Sequence, residues 1–116
     1  MLNDIKYNEQ GLVPAIVQDF NTREVLMLGY MSEEALGLTL SSGEVWFYSR
    51  SRQELWHKGA TSGNRILVHS VWKDCDNDTI LVTAHPKGPM CHTGNNTCFY
   101  QQLTGKESEP GNQEKV

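Results

Sequence analysis

The chain has 116 residues, 38% of them hydrophobic and 21% charged, with a formal net charge of −4. That size supports one domain with a modest core, and that balance excludes a disordered chain. No Lys/Arg run forms the basic stripe of a nucleic-acid binder, and no apolar run approaches the roughly 18 residues of a membrane span.

Leu12–Phe20 is an apolar run in which Pro14 marks an edge strand or the opening residues of a strand. Asp19–Arg23 supplies turn chemistry, and Glu24–Tyr30 is a second strand, so the two form an antiparallel hairpin with a loop longer than two residues. Ser32 is a good N-cap with Glu33 and Glu34 behind it, Met31 and Leu36 sit at the spacing of a hydrophobic staple, and Gly43 is placed to stop the helix. A helix is therefore predicted over Ser32–Ser41, as a packing element without chemistry.

From Glu44 the pattern turns to β. Val45–Tyr48 is a strand, and Ser49–Asn64 reads as a polar loop. Asn64–Lys73 is apolar on both faces, which predicts a central strand, or one lining a closed sheet or a partner chain. Thr79–Ala84 is another strand and Phe99–Leu103 a shorter last one. Residues 104–116 lose all periodicity and are expected to be a disordered tail beyond a domain of residues 1–103. The fold class is α+β, mostly β: a strongly twisted or barrel-like antiparallel sheet capped by one main helix.

The chemistry concentrates between Asp74 and Tyr100, which hold all three cysteines. The first residues lack the apolar core of a secretory leader, so a cytoplasmic location is expected, where thiols stay reduced. Reduced cysteines there favour a metal or catalytic role over a disulfide framework. Cys75, Cys91 and Cys98 lack the paired spacing of a zinc finger, and three thiolates plus water would make a catalytic rather than a closed structural zinc site. Three unrelated buried cysteines are the bland alternative. Asp74, Asp76 and Asp78 recur at alternate positions, so in an extended segment they share a face and call for a hard cation such as Mg²⁺. Cys75 would then point to the other face. The same spacing opens an EF-hand loop, but Thr79 stands where its Gly should be and His85 where its Glu should be.

His92, next to Cys91, suits a general acid or base; His69 is a weaker candidate. Arg50, Arg52 and Lys58, with Thr61 and Ser62, suit a phosphorylated ligand, and Trp56 could stack on a base. An ordinary polar loop is the competing reading of that segment.

Together these residues resemble a known family, phosphoribosyl-AMP cyclohydrolase. The matching blocks run in order over roughly residues 12–100: Pro14–Asp19, Val25–Met31, Ser49–Arg52, Trp56–Gly59, Thr61–Asn64, Asp74–Asp78, and Cys91–Gly94 through Cys98-Phe99. Ala60 stands where an acidic residue is common in the family, and Thr97 where Ser is usual. The resemblance implies a hydrolase of a cyclic amidine in histidine biosynthesis, opening the adenine ring of 1-(5-phosphoribosyl)-AMP between ring positions one and six. It also implies an intertwined homodimer whose zinc is shared, Cys75 from one subunit with Cys91 and Cys98 from the other, and Mg²⁺ on Asp74, Asp76 and Asp78. Many bacterial members carry a second, pyrophosphohydrolase domain; only the cyclohydrolase step is expected of this sequence. The competing functional reading is a small metal-stapled dimeric binding module without catalysis.

Overall fold

The computed structural model describes residues 4–106. The tail expected from Thr104 onward thus lies, past Lys106, outside the described residues. The elements are β1 (Leu12–Asp19), β2 (Val25–Ser32), α1 (Glu33–Ser42), β3 (Trp46–Ser49), β4 (Glu54–His57), β5 (Ile66–Lys73) and β6 (Ile80–Pro86).

β1 and β2 form the expected antiparallel hairpin, with Leu12 opposite Ser32 and Gln18 opposite Val25. Its turn is held by Asp19, whose Oδ1 accepts the N–H groups of Asn21 and Thr22. α1 starts where the caps demand. The Ser32 hydroxyl accepts the Ala35 N–H at 3.2 Å, and Gly43, at φ 77°, donates its N–H to the Thr39 carbonyl. Met31 and Leu36, the staple pair, are both buried.

Four strands form one sheet in the order β2-β1-β6-β5, and β3 and β4 form a separate two-stranded ribbon. The sheet is mixed and open, not a closed antiparallel barrel. β1 runs parallel to β6, Ala15 opposite Ile80 and Asp19 opposite Ala84, while β5 and β6 are antiparallel. Alternation in a sequence reveals which face is buried but not the direction of the neighbouring strand, so this pairing was not legible. β1 is consequently an interior strand rather than an edge. Pro14 is tolerated because the β6 ladder begins one residue later, at Ala15.

Of the three positions expected for β5, central, lining a closed sheet or lining a partner chain, the first two do not hold. It is the outer strand of the sheet, and only its first residues gain a neighbour, through Val45 N–H to the Ile66 carbonyl and Val68 N–H to the Gly43 carbonyl. β4 lies inside the segment expected to be loop, and its register sets Phe47 opposite Trp56 and Trp46 opposite His57. Phe99–Leu103 forms no strand; Phe99 and Leu103 stand exposed, without a pairing partner among the described residues.

The core lies on one face of the sheet. Val13, Ala15 and Val17 of β1 and Ile80, Val82 and Ala84 of β6 meet Ala35 and Leu36 of α1 and Phe47 of β3. The alternate residues Pro14, Ile16, Leu81 and His85 are only half-buried, and Leu28 and Trp72 are 44% and 60% exposed. Among the described residues, that opposite face is thus partly open to solvent, although Thr83 on it is buried, with Phe20 stacked on His69 beside it.

Candidate active site and thiol cluster

Two cavities meet at Trp56, on the ribbon. The larger, about 760 Å³, is lined by Tyr30, Arg50 and Arg52 among others, and the smaller, about 390 Å³, by Lys58, Thr61, Ser62, Cys91 and His92. All six residues predicted to hold substrate thus line one pair of cavities, and Trp56 lines both. The Arg50 guanidinium lies 4.0 Å from the centre of the Tyr30 ring. Arg52 is tethered by its neighbours, its Nε 3.4 Å from Ser49 Oγ and 3.7 Å from Glu54 Oε2.

Lys58 is different. It is only 9% exposed, and its Nζ donates to the Met90 carbonyl at 2.9 Å. Burial pushes its pKa down, against the opposing pull of the Cys98 and Cys91 thiols beside it.

Those two thiols form a pair with unlike environments. Cys91 sits in a tight turn: its N–H donates to the Asn95 carbonyl, and the Gly94 N–H donates back to the Cys91 carbonyl. The Thr93 hydroxyl donates to Cys91 Sγ at 3.0 Å and holds that thiol below its ordinary pKa. Cys98 is anchored on β2, its N–H donating to the Leu26 carbonyl at 2.7 Å. Burial pushes the Cys98 thiol up, and the neighbouring Cys91 adds to the rise. His92 is exposed at the rim of the smaller cavity.

Asp74, Asp76 and Asp78 also converge, but not as an extended segment. They occupy the β5–β6 turn, where Asn77 takes φ 64° and Asp74 Oδ1 accepts the N–H groups of Asp78 and Thr79. One carboxylate oxygen from each residue lies within 4.8 Å of the others. Against a desolvation penalty, the hydrogen bonds from Asp78 and Thr79 hold the Asp74 carboxyl low. Sharing with Asp74, then Asp76, raises that of Asp78. An all-oxygen triad of this kind fits a hard divalent cation.

Cys75, exposed in the same turn, does not join the other two thiols. Its turn precedes Ile80, which pairs with Ala15, whereas Cys98 is bonded to the β2 strand beside Val17 and Gln18, two strands across. At 3.3–3.4 Å per residue and just under 5 Å per strand, that separation is roughly 15–20 Å. Two sulfur ligands of one zinc lie about 4 Å apart, given a Zn–S bond near 2.3 Å. Within one chain, then, Cys91 and Cys98 fit two corners of a zinc site and Cys75 does not fit the third.

Sequence reasoning overlooked Tyr30, which underlies Arg50, and Thr93, which bonds Cys91. The second had a signal: a hydroxyl two residues after Cys91, just before Gly94, is turn chemistry.

Fold and site together define a class: small, mostly-β α+β proteins with a cation-lined pair of cavities beside two neighbouring thiols. Residues 27–100 match the family model for phosphoribosyl-AMP cyclohydrolase. The chain belongs to that family. A protein of Clostridium beijerinckii named phosphoribosyl-AMP cyclohydrolase is 61% identical over 93 residues, 80% of this chain and 85% of its own length. One of the same name from Clostridium botulinum is 52% identical over 103 residues, 88% of this chain and 94% of its own. A histidine biosynthesis bifunctional protein HisIE of Caldanaerobacter subterraneus is 53% identical over 110 residues, 95% of this chain but 53% of its own length. The chain spans about half the length of such bifunctional relatives. Among the described residues, no helix is long and apolar enough to cross a membrane.

Proposed function

We propose that the chain catalyses the cyclohydrolase step of histidine biosynthesis in the cytoplasm, hydrolysing 1-(5-phosphoribosyl)-AMP. The observation that carries this is the placement of Trp56 between two cation-bearing cavities, one of which ends at Cys91 and His92. A purine with a phosphate at either side needs that arrangement: a flat apolar ring for the base and separate cationic ends.

Trp56 stacks on the purine. Arg50 and Arg52 take one phosphate, and Thr61 and Ser62, with the ammonium of Lys58 behind them, face the other. Water adds to the carbon at ring position six, the bond from that carbon to ring nitrogen one breaks, and the nitrogen leaves with a proton. His92 moves that proton, a role its exposure among the lining of the smaller cavity supports. The product is the phosphoribosylformimino-aminoimidazole carboxamide ribonucleotide.

Cys75, Cys91 and Cys98 would hold Zn²⁺, which supplies Lewis acidity sufficient to make water a nucleophile near neutral pH. Asp74, Asp76 and Asp78 would hold Mg²⁺. Because Cys75 stands apart from the thiol pair within one chain, a three-thiol zinc site requires a second copy. The exposed Leu28 and Trp72 on the second face of the sheet support a homodimer.

Purified protein supplied with Zn²⁺ and Mg²⁺ should change the ultraviolet spectrum of phosphoribosyl-AMP as the ring opens. A zinc-replete sample that leaves the spectrum unchanged would sink the enzyme and favour a metal-stapled binding module.

A further inference from the structure

We infer that Lys58 is a positioning residue: its ammonium, fixed on the Met90 carbonyl, sets Cys91 in place and couples it to the loop that lines the smaller cavity. The inference begins with burial. A charged group taken out of water is costly unless something nearby compensates it, and a carboxylate is the usual partner. No carboxylate among the described residues pairs with Lys58. Its ammonium donates instead to the carbonyl of the residue immediately before Cys91, lies 5.3 Å from the centre of the Trp56 ring, and has both thiols as electrostatic neighbours.

The backbone of Lys58 is itself fixed. Its N–H donates to the carbonyl of Val45, a fully buried core residue, so the side chain projects from a rigid base. Two further contacts run beside it. The Lys87 N–H donates to the Arg65 carbonyl at 2.8 Å, and the Asn64 side chain lies so close over Gly88 that a Cβ there would collide with Asn64 Oδ1. Residues 87–91 are thus latched to residues 58–65, which carry Thr61 and Ser62.

The other end of the thiol segment has a different support. Cys98 N–H bonds the Leu26 carbonyl, and the Thr97 hydroxyl donates to the Val25 carbonyl at 2.7 Å, both on β2. Each cysteine therefore has its own anchor: Cys91 the Lys58 latch, Cys98 the edge of the main sheet. Loss of one anchor should move one cysteine. The positive charge of Lys58 also suits this place, because zinc held by three thiolates carries a net negative charge that the ammonium offsets.

The metal part of this inference rests on the function proposed above; the part concerning the loop does not. The test is Lys58→Met in the full-length chain, which keeps the length and removes the charge. Amide hydrogen exchange is followed at Cys91 and Cys98, in protein as purified and after chelator treatment. Zinc affinity is measured by chelator competition. Exchange at the Cys91 amide should rise about tenfold while that at Cys98 stays as in wild type, since local openings are set by local contacts. Zinc affinity should fall roughly 10–100-fold, as it does when groups orienting metal ligands are removed.

Thr61→Ala, which alters the same cavity without touching the thiol segment, should raise KM and leave exchange and zinc affinity alone. If Lys58→Met, like Thr61→Ala, raises KM but leaves exchange and zinc affinity alone, Lys58 serves the phosphate only and the inference is overturned. Equal acceleration at Cys91, Cys98 and the β1 and β6 amides would overturn it too, reducing Lys58 to a general stabiliser. Asn64→Ala, which loosens the neighbouring contact of the latch, is the companion variant should Lys58→Met not fold, with the same selective rise expected at Cys91. Selective exchange in a protein without turnover would leave the latch standing and remove the enzyme.

Discussion

The Thr93 hydroxyl on Cys91 Sγ inclines that thiol towards thiolate, while burial and the neighbouring Cys91 incline Cys98 away from it. A hydroxyl that donates to sulfur favours the charged form, so its removal raises the thiol pKa. In chelator-treated protein, Thr93→Val should therefore move the pH midpoint of Cys91 alkylation upward; an unmoved midpoint would remove Thr93 from that role. Cys98→Ala should lose zinc and turnover together, and full activity without zinc would end the thiol-site model. His92→Ala should keep zinc and lose rate, by on the order of 10²-fold if it transfers a proton in the transition state. At this scale residue types were informative: Cys91 with Cys98, the three aspartates, and the polar segment around Trp56 each gather in a cavity or cluster, while Cys75 stands apart. What the sequence hid was distance. Neighbouring positions suggested that Cys75 and the aspartates stand back to back on an extended strand, but a left-handed Asn77 folds them into a turn.

Elements written in local signals were legible. The caps of α1 and the Asp19 turn depend on residues within four positions of one another, and both formed as the spacing requires. Ser32→Ala should cost about 1 kcal/mol through the lost bond to the Ala35 N–H, read as a lowered thermal midpoint. Elements decided by distant partners were not legible. β4 is four residues of mixed polarity, stabilised by the aromatic pairing of Trp56 with Phe47 across the ribbon. β5 looks central because both its faces are apolar, yet only one of them meets this chain's own core. Gly29 shows the same dependence on a distant partner: a Cβ there would lie 2.6 Å from the Phe47 ring. Gly29→Ala should destabilise by about 1–3 kcal/mol through overpacking, and an unchanged denaturation midpoint would contradict the close approach.

At the scale of the whole molecule, the exposed Leu28 and Trp72 and the distant Cys75 point the same way. Mixing Cys75→Ala with Cys91→Ala protein should restore part of the activity, because a mixed dimer keeps one of its two shared sites intact. No recovery in verified mixed dimers would count against shared ligands. Sedimentation should report a dimer, and Trp72→Glu, on the outer strand, should shift it towards monomer; an undisturbed dimer would place the interface elsewhere.

The parallel pairing of β1 with β6 also sets an order of events during synthesis. β1 emerges from the ribosome long before its inner neighbour, since Ala15 waits for Ile80. Until then the β1–β2 hairpin offers the bare edge of Ala15–Asp19, apolar through Val17, the kind of edge that recruits other chains. A message truncated before Ile80 should therefore yield a fragment that aggregates rather than a smaller folded domain, and full-length folding should be slow for a chain of this size because its sheet closes over so long a loop.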